Sequence, residues 1–180
     1  MSCTYKMNYA EIKKNDIANG EGVRTSLFVS GCRNRCKNCF NAVTWDFLYG
    51  KPFDQAVEDD IIASTRPRWL SGLSLLGGEP FHPDNQSAVL DLVQQARAAY
   101  PNLNIWCYSG YLFQDLAAGQ VGRHSRALLE QLDILVDGPF VAEKKNLSLR
   151  FRGSENQRII QVQPSLARGE IILWDETAEL

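Results

Sequence analysis

Four short apolar runs in this chain each stop at a glycine, and that repeated design constrains its fold more than any other feature. Residues 25–31 (TSLFVSG), 73–78 (LSLLGG), 104–110 (NIWCYSG) and 134–138 (ILVDG) read as strands with apolar interiors, as strands buried on both faces do. Amphipathic stretches separate them. Asp84 is placed to cap a helix carrying Val89, Leu92, Val93 and Ala96 on one face, and residues 54–64 and 125–132 show shorter versions. Strand, helix, strand in succession predicts parallel pairing through right-handed crossovers. Closed eight-fold barrels need about 250 residues. With 180 residues, the chain predicts a single α/β domain over 1–180, built as an open, partial (β/α) barrel. Residues 158–162 and 170–174 are weaker strand candidates.

Parallel α/β folds carry their chemistry at the carboxyl ends of the strands. Here those ends read Gly31-Cys32, Gly77-Gly78, Ser109-Gly110 and Asp137-Gly138, and glycine lets backbone approach a ligand closely. One such glycine is a plain turn; four at one edge favour a site. Composition narrows the field further. With 19 Lys and Arg against 21 Asp and Glu, the formal charge is −2, which offers no field for nucleic acid as a steady partner. Basic residues gather only locally, at Arg33, Arg35 and Lys37 and over residues 150–158, where a solvated rim and a docking surface are both open readings. No apolar run reaches the roughly 20 residues of a membrane span. Lys13-Lys14-Asn15-Asp16 interrupts any secretion signal. A cytoplasmic protein with reduced thiols is the expectation.

The five cysteines, an odd number, suit a thiolate site better than a disulfide framework. Three of them make the spacing C-x3-C-x2-C, Cys32-Arg-Asn-Arg-Cys36-Lys-Asn-Cys39, directly after the first strong strand. Soft thiolates on one short loop suit an iron–sulfur cube. A 4Fe-4S cluster has four irons and this loop ligates three, which leaves one iron open, as catalytic metal sites keep a position open. Two other readings remain on the residues alone. One is a structural zinc completed by Cys3, Cys107, His82 or His124; the other is an electron carrier with Cys3 or Cys107 as fourth thiolate. Against zinc, no second CxxC-like pair is present.

The cysteine spacing after a first strand resembles the signature of the radical S-adenosylmethionine superfamily. Leu76-Gly77-Gly78-Glu79-Pro80, ending the second strand, is similar to that superfamily's GGEP element. The resemblance implies a partial barrel of the radical SAM type, with the methionyl amino and carboxylate groups of S-adenosyl-L-methionine on the fourth iron. One electron then cleaves a carbon–sulfur bond, leaving methionine and a 5′-deoxyadenosyl radical. Across nearly the whole chain the likeness extends to the activating enzymes of anaerobic ribonucleotide reductase. Asp16-Ile-Ala-Asn-Gly-Glu-Gly-Val-Arg24 resembles the DxxxGxGxR segment of glycyl-radical activases. Cys39-Phe40-Asn41, Thr44-Trp45, Asp137-Gly-Pro-Phe140 and Arg152-Gly-Ser-Glu-Asn-Gln157 continue it. Glu21, Glu79 and Cys107 depart from the pattern, standing where proline, aspartate and an acidic residue beside the cofactor are common.

The resemblance implies a role for each residue. Cys32, Cys36 and Cys39 ligate the cluster; Asn38 and Phe40, flanking the third cysteine, contact the adenine; Gly77, Gly78 and Glu79 hold the methionyl ammonium. Tyr108 and Asp137 line the cofactor or the substrate side, a core or rim role being equally open for the tyrosine. Arg24 and Arg152 serve partner docking or cluster electrostatics, and the four tryptophans pack. The implied partners are the large subunit of anaerobic ribonucleotide reductase, a glycyl radical protein, and a low-potential electron donor such as flavodoxin. A small-molecule radical enzyme of the deazapurine synthase kind is the alternative.

Overall fold

The structure, a computed structural model, describes residues 6–175. Its strands are β1 (Asn8–Asp16), β2 (Arg24–Val29), β3 (Lys51–Pro52), β4 (Gly72–Gly77), β5 (Asn104–Tyr108), β6 (Ile134–Asp137) and β7 (Arg158–Gln161). They form one open sheet in the order β3-β1-β2-β4-β5-β6-β7. The centre, β2-β4-β5-β6, is parallel and uses all four glycine-closed runs; β1, β3 and β7 pair antiparallel at its flanks. The sequence did not signal β1, because six of its nine residues are charged or amide side chains and no period of two stands out. The run at 170–174 forms only an isolated bridge, Ile160 to Leu173.

The helices are α1 (Gln55–Ser64), α2 (Pro83–Ala99), α3 (Phe113–Ala117), α4 (Ser125–Leu129) and α5 (Val162–Arg168). Asp54 caps α1 by accepting the Val57 N–H. The cap of α2 is His82 rather than Asp84: Pro83 fits the first helical turn, and His82 Nδ1 accepts the Asp84 N–H. Asp84 then sits in the first turn, where its charge suits the helix dipole.

Strand alternation divides the molecule into two sides. Leu27, Val29, Leu73, Leu75, Ile105, Cys107, Leu135 and Ile160 point into one core with Val89, Leu92, Val93 and Ala96 of α2. Each fully buried Val or Leu there contributes about 1.5–3 kcal/mol. On the opposite face Trp106, Ile134, Val136 and Ile159 make a smaller cluster with Tyr108, Phe151 and Trp174. The helices therefore cover one face, and the carboxyl ends of the parallel strands open under residues 138–157 on the other. No helix among the described residues is long and apolar enough to cross a membrane.

Candidate active site

A chamber of about 500 Å³ opens at the carboxyl ends of β2, β4 and β5, within the size range of small-molecule sites. Cys32, Cys36 and Cys39 line it from the loop after β2, Gly77, Gly78 and Glu79 from the end of β4, and Tyr108, Ser109 and Gly110 from the end of β5. Leu147, Phe151 and Arg152 cover it from the segment after β6.

The loop is seated at its base. Gly31 takes φ +97°, and the Phe47 ring lies 2.2 Å from where a Cβ would stand, so no other residue fits. Its N–H donates to Thr44 O at 2.8 Å and the Cys32 N–H to Trp45 O at 3.2 Å. Buried Asn85 donates to the carbonyls of Ser30 and Glu79, both at 3.0 Å, joining the loop base to the β4 turn. Beyond the base, Arg35 and Asn38 adopt left-handed backbone, φ 45° and 59°, which lets three cysteines turn inward within eight residues.

Burial pushes the Cys32 thiol up to about 11, with the Glu79 charge adding to the effect, and burial raises Cys36 as well. Such thiols stay protonated at neutral pH unless a metal displaces the proton. Among the described residues no three His, Cys, Asp or Glu side chains close on one metal-ion position. Three thiols on the wall of one roomy chamber suit a multi-iron cube. The residues present fit a 4Fe-4S cluster.

The other candidate fourth ligands lie elsewhere. Cys107 is fully buried in the helix-side core, His82 caps α2 against the Phe47 ring, and His124 stands at the start of α4. Cys3 lies outside the described residues.

Several site expectations change with the geometry. Asn38 is exposed and is not part of the chamber wall. Phe40 lines the wall but is 64% exposed, packed on Phe140 with Lys145 Nζ 5.0 Å from its ring centre. A Cβ at Gly78 would meet Gly31 O at 2.7 Å and Thr44 O at 3.0 Å. Its glycine is thus required by the cluster-loop backbone as well as standing on the chamber wall. Glu79 is 1% exposed, its pKa pushed up to about 7 by burial.

Arg24 is 1% exposed and cannot dock a partner. It lies at the amino ends of the strands over Trp106, donating to Ser74 Oγ at 2.7 Å and to the carbonyls of Leu73 and Asn104 at 3.0 and 2.9 Å. Burial lowers its pKa to about 10. Asp137 does not line the chamber: its carboxylate accepts the Phe113 N–H at the start of α3 and pairs with Arg158. Tyr108 does line it, and burial raises its pKa. Its buried hydroxyl has no hydrogen-bond partner among the described residues. Arg152 lines the wall and donates to Gln157 O at 2.9 Å. Trp106 and Trp174 pack edge to face, but Trp69 is 61% exposed and packs little. Asn34, also on the wall, was not singled out by sequence; its signal is positional, lying midway between two ligands.

Residues 18–160 match the model of the family described as a 4Fe-4S single cluster domain. The chain is 44% identical over 155 residues to the anaerobic ribonucleoside-triphosphate reductase-activating protein of Vibrio cholerae, covering 85% of this chain and 97% of that one. It is 42% identical over 153 residues to the protein of the same name from Escherichia coli, covering 84% and 96%. The corresponding protein of Enterobacteria phage T4 is 34% identical over 155 residues, covering 85% and 93%.

Proposed function

The chain belongs to the family of anaerobic ribonucleoside-triphosphate reductase-activating proteins, and from that premise we propose that it generates a glycyl radical on such a reductase as a radical S-adenosyl-L-methionine enzyme. The observation that carries the reading is the meeting of Cys32, Cys36 and Cys39 with Gly77, Gly78 and Glu79 on one chamber. When bound, the cluster held by Cys32, Cys36 and Cys39 would supply one electron and one open iron for reductive cleavage of S-adenosylmethionine, the chemistry that hydrogen abstraction from a partner glycine requires.

The chain's own residues do the holding and shielding. The three cysteines ligate iron. Backbone groups at Gly77 and Gly78 stand where the methionyl end would lie. Phe40 presents an exposed ring to the adenine, and Leu147 and Phe151 give the chamber apolar lining opposite the cysteines. The four parallel strands enter in sequence order with every helix on one face, which supports the partial barrel of the radical SAM type. On the outer side of the loop, Cys32 also lines a groove with Arg33, Arg35, Val43 and Asp46. Arg33 and Arg35, exposed and without carboxylate partners among the described residues, suit an acidic one-electron donor such as flavodoxin in the cytoplasm.

The test mixes anaerobically reconstituted protein, a reductant, S-adenosylmethionine and the cognate reductase. An EPR doublet should appear on the reductase large subunit and vanish when its target glycine becomes alanine. Robust cofactor cleavage without a doublet would transfer the assignment to a small-molecule radical enzyme.

A further inference from the structure

Glu79 accepts four hydrogen bonds from the protein. Oε1 accepts the Phe81 N–H at 3.0 Å and the Ser109 hydroxyl at 2.8 Å. Oε2 accepts the Gly110 N–H at 2.8 Å and the Asn34 amide at 3.1 Å. A carboxylate offers about four acceptor sites, and here all four are filled on a group that is 1% exposed. The donors come from three separate segments: the cluster loop, the β4 turn and the end of β5.

A second observation makes the arrangement specific. A Cβ at Gly110 would lie 2.2 Å from Asn34 Nδ2 and 3.4 Å from Glu79 Oε2. Residue 110 lacks a side chain at the spot where the Asn34 amide passes to reach the carboxylate. Asn34 is the middle residue of the three between Cys32 and Cys36, so its anchorage fixes the path of the loop between two ligands.

We infer that Glu79 is a positioning residue, a latch that ties the cluster loop through Asn34 to the end of β5, and that the ammonium of a bound cofactor is met by other acceptors. The latch rests on the activase reading only for what the held loop would carry. It consists of protein–protein hydrogen bonds alone, and that separates the two tests.

The loop holds three tryptic sites, Arg33, Arg35 and Lys37, so limited trypsinolysis of the metal-free full chain reads its freedom directly. Glu79→Gln exchanges an acceptor oxygen for a donor. Gly110→Ala pushes Asn34 away with no change in the loop itself. Each should speed cleavage within residues 33–37 by roughly tenfold, the loss of about one charge-assisted bond. The double variant should be no faster than the quicker single one, since both open the same latch. Asn34→Ala, at an exposed position, covers the case in which a buried change prevents folding, scored at the Lys37 bond.

After reconstitution, Glu79→Gln and Asn34→Ala should both alter the EPR line shape of the reduced cluster before S-adenosylmethionine is added. Unchanged cleavage and line shape, with S-adenosylmethionine affinity falling in Glu79→Gln alone, would overturn the latch and make Glu79 an ammonium acceptor. Faster cleavage in a protein that never activates a reductase would keep the latch and remove the activase reading.

Discussion

A single methyl group at residue 78 should unseat the cluster loop. The Cβ of Gly78→Ala would stand 2.7 Å from Gly31 O and 3.0 Å from Thr44 O. Close carbon–oxygen contacts settle near ~3.3–3.6 Å, so the nearer carbonyl must retreat by roughly 0.6–0.9 Å. Both obstacles are backbone, and Gly31 cannot yield alone. Its carbonyl accepts the Glu79 N–H at 2.9 Å and its N–H donates to Thr44 at 2.8 Å, while Gly78 itself is held by Val29 O at 2.7 Å. Overpacking of this kind costs about 1–3 kcal/mol. If that cost falls on the seated loop, a chelator should strip iron from the reconstituted variant roughly 5- to 150-fold faster than from wild type. Decay of the visible iron–sulfur absorbance after chelator addition measures it. A wild-type rate of iron loss with a weakened response to S-adenosylmethionine would refute the reasoning and put the methyl group in cofactor space.

Alanine at Cys32, Cys36 or Cys39 should abolish iron retention and cofactor cleavage. Cys107→Ala should keep both and lose only about 1 kcal/mol of stability by denaturant titration, because that thiol packs in the helix-side core. Arg24→Leu leaves Ser74 Oγ and the Leu73 and Asn104 carbonyls without their donor; urea unfolding should show a loss of about 1–3 kcal/mol, and no loss would count against the network. Burial lowers the His82 pKa while its Nδ1 accepts the Asp84 N–H, so the folded state favours the neutral ring. That stability is fully present above the ordinary histidine value near 6.5 and is lost as pH falls below it. His82→Asn, which keeps a capping acceptor, should flatten the difference between denaturation midpoints at pH 7.5 and 5.5.

What the sequence determined by itself is local. Four apolar runs ending in glycine specify four strands, because runs this short, closed by glycine and set between helical patterns, suit a strand buried on both faces better than a helix. Cys32, Cys36 and Cys39 declare a thiolate site by spacing alone, since three soft ligands on one loop have few other uses. Tertiary structure decided everything that depends on which residue faces which. Arg24 and Asp137 carry motif positions yet make their bonds within the fold, because a buried charge without hydrogen-bond partners is costly. Cys107 lies one residue from Tyr108 but on the opposite side of the sheet, since successive side chains in a strand point to opposite faces. Gly78 and Glu79 looked like ligand contacts in a linear motif. Only the tertiary structure brings the cluster loop, 47 and 45 residues earlier, against them, with Gly31 O 2.7 Å from a Cβ at residue 78 and Asn34 donating to the Glu79 carboxylate. Such contacts span strands distant in sequence, and no period or spacing along the chain encodes them.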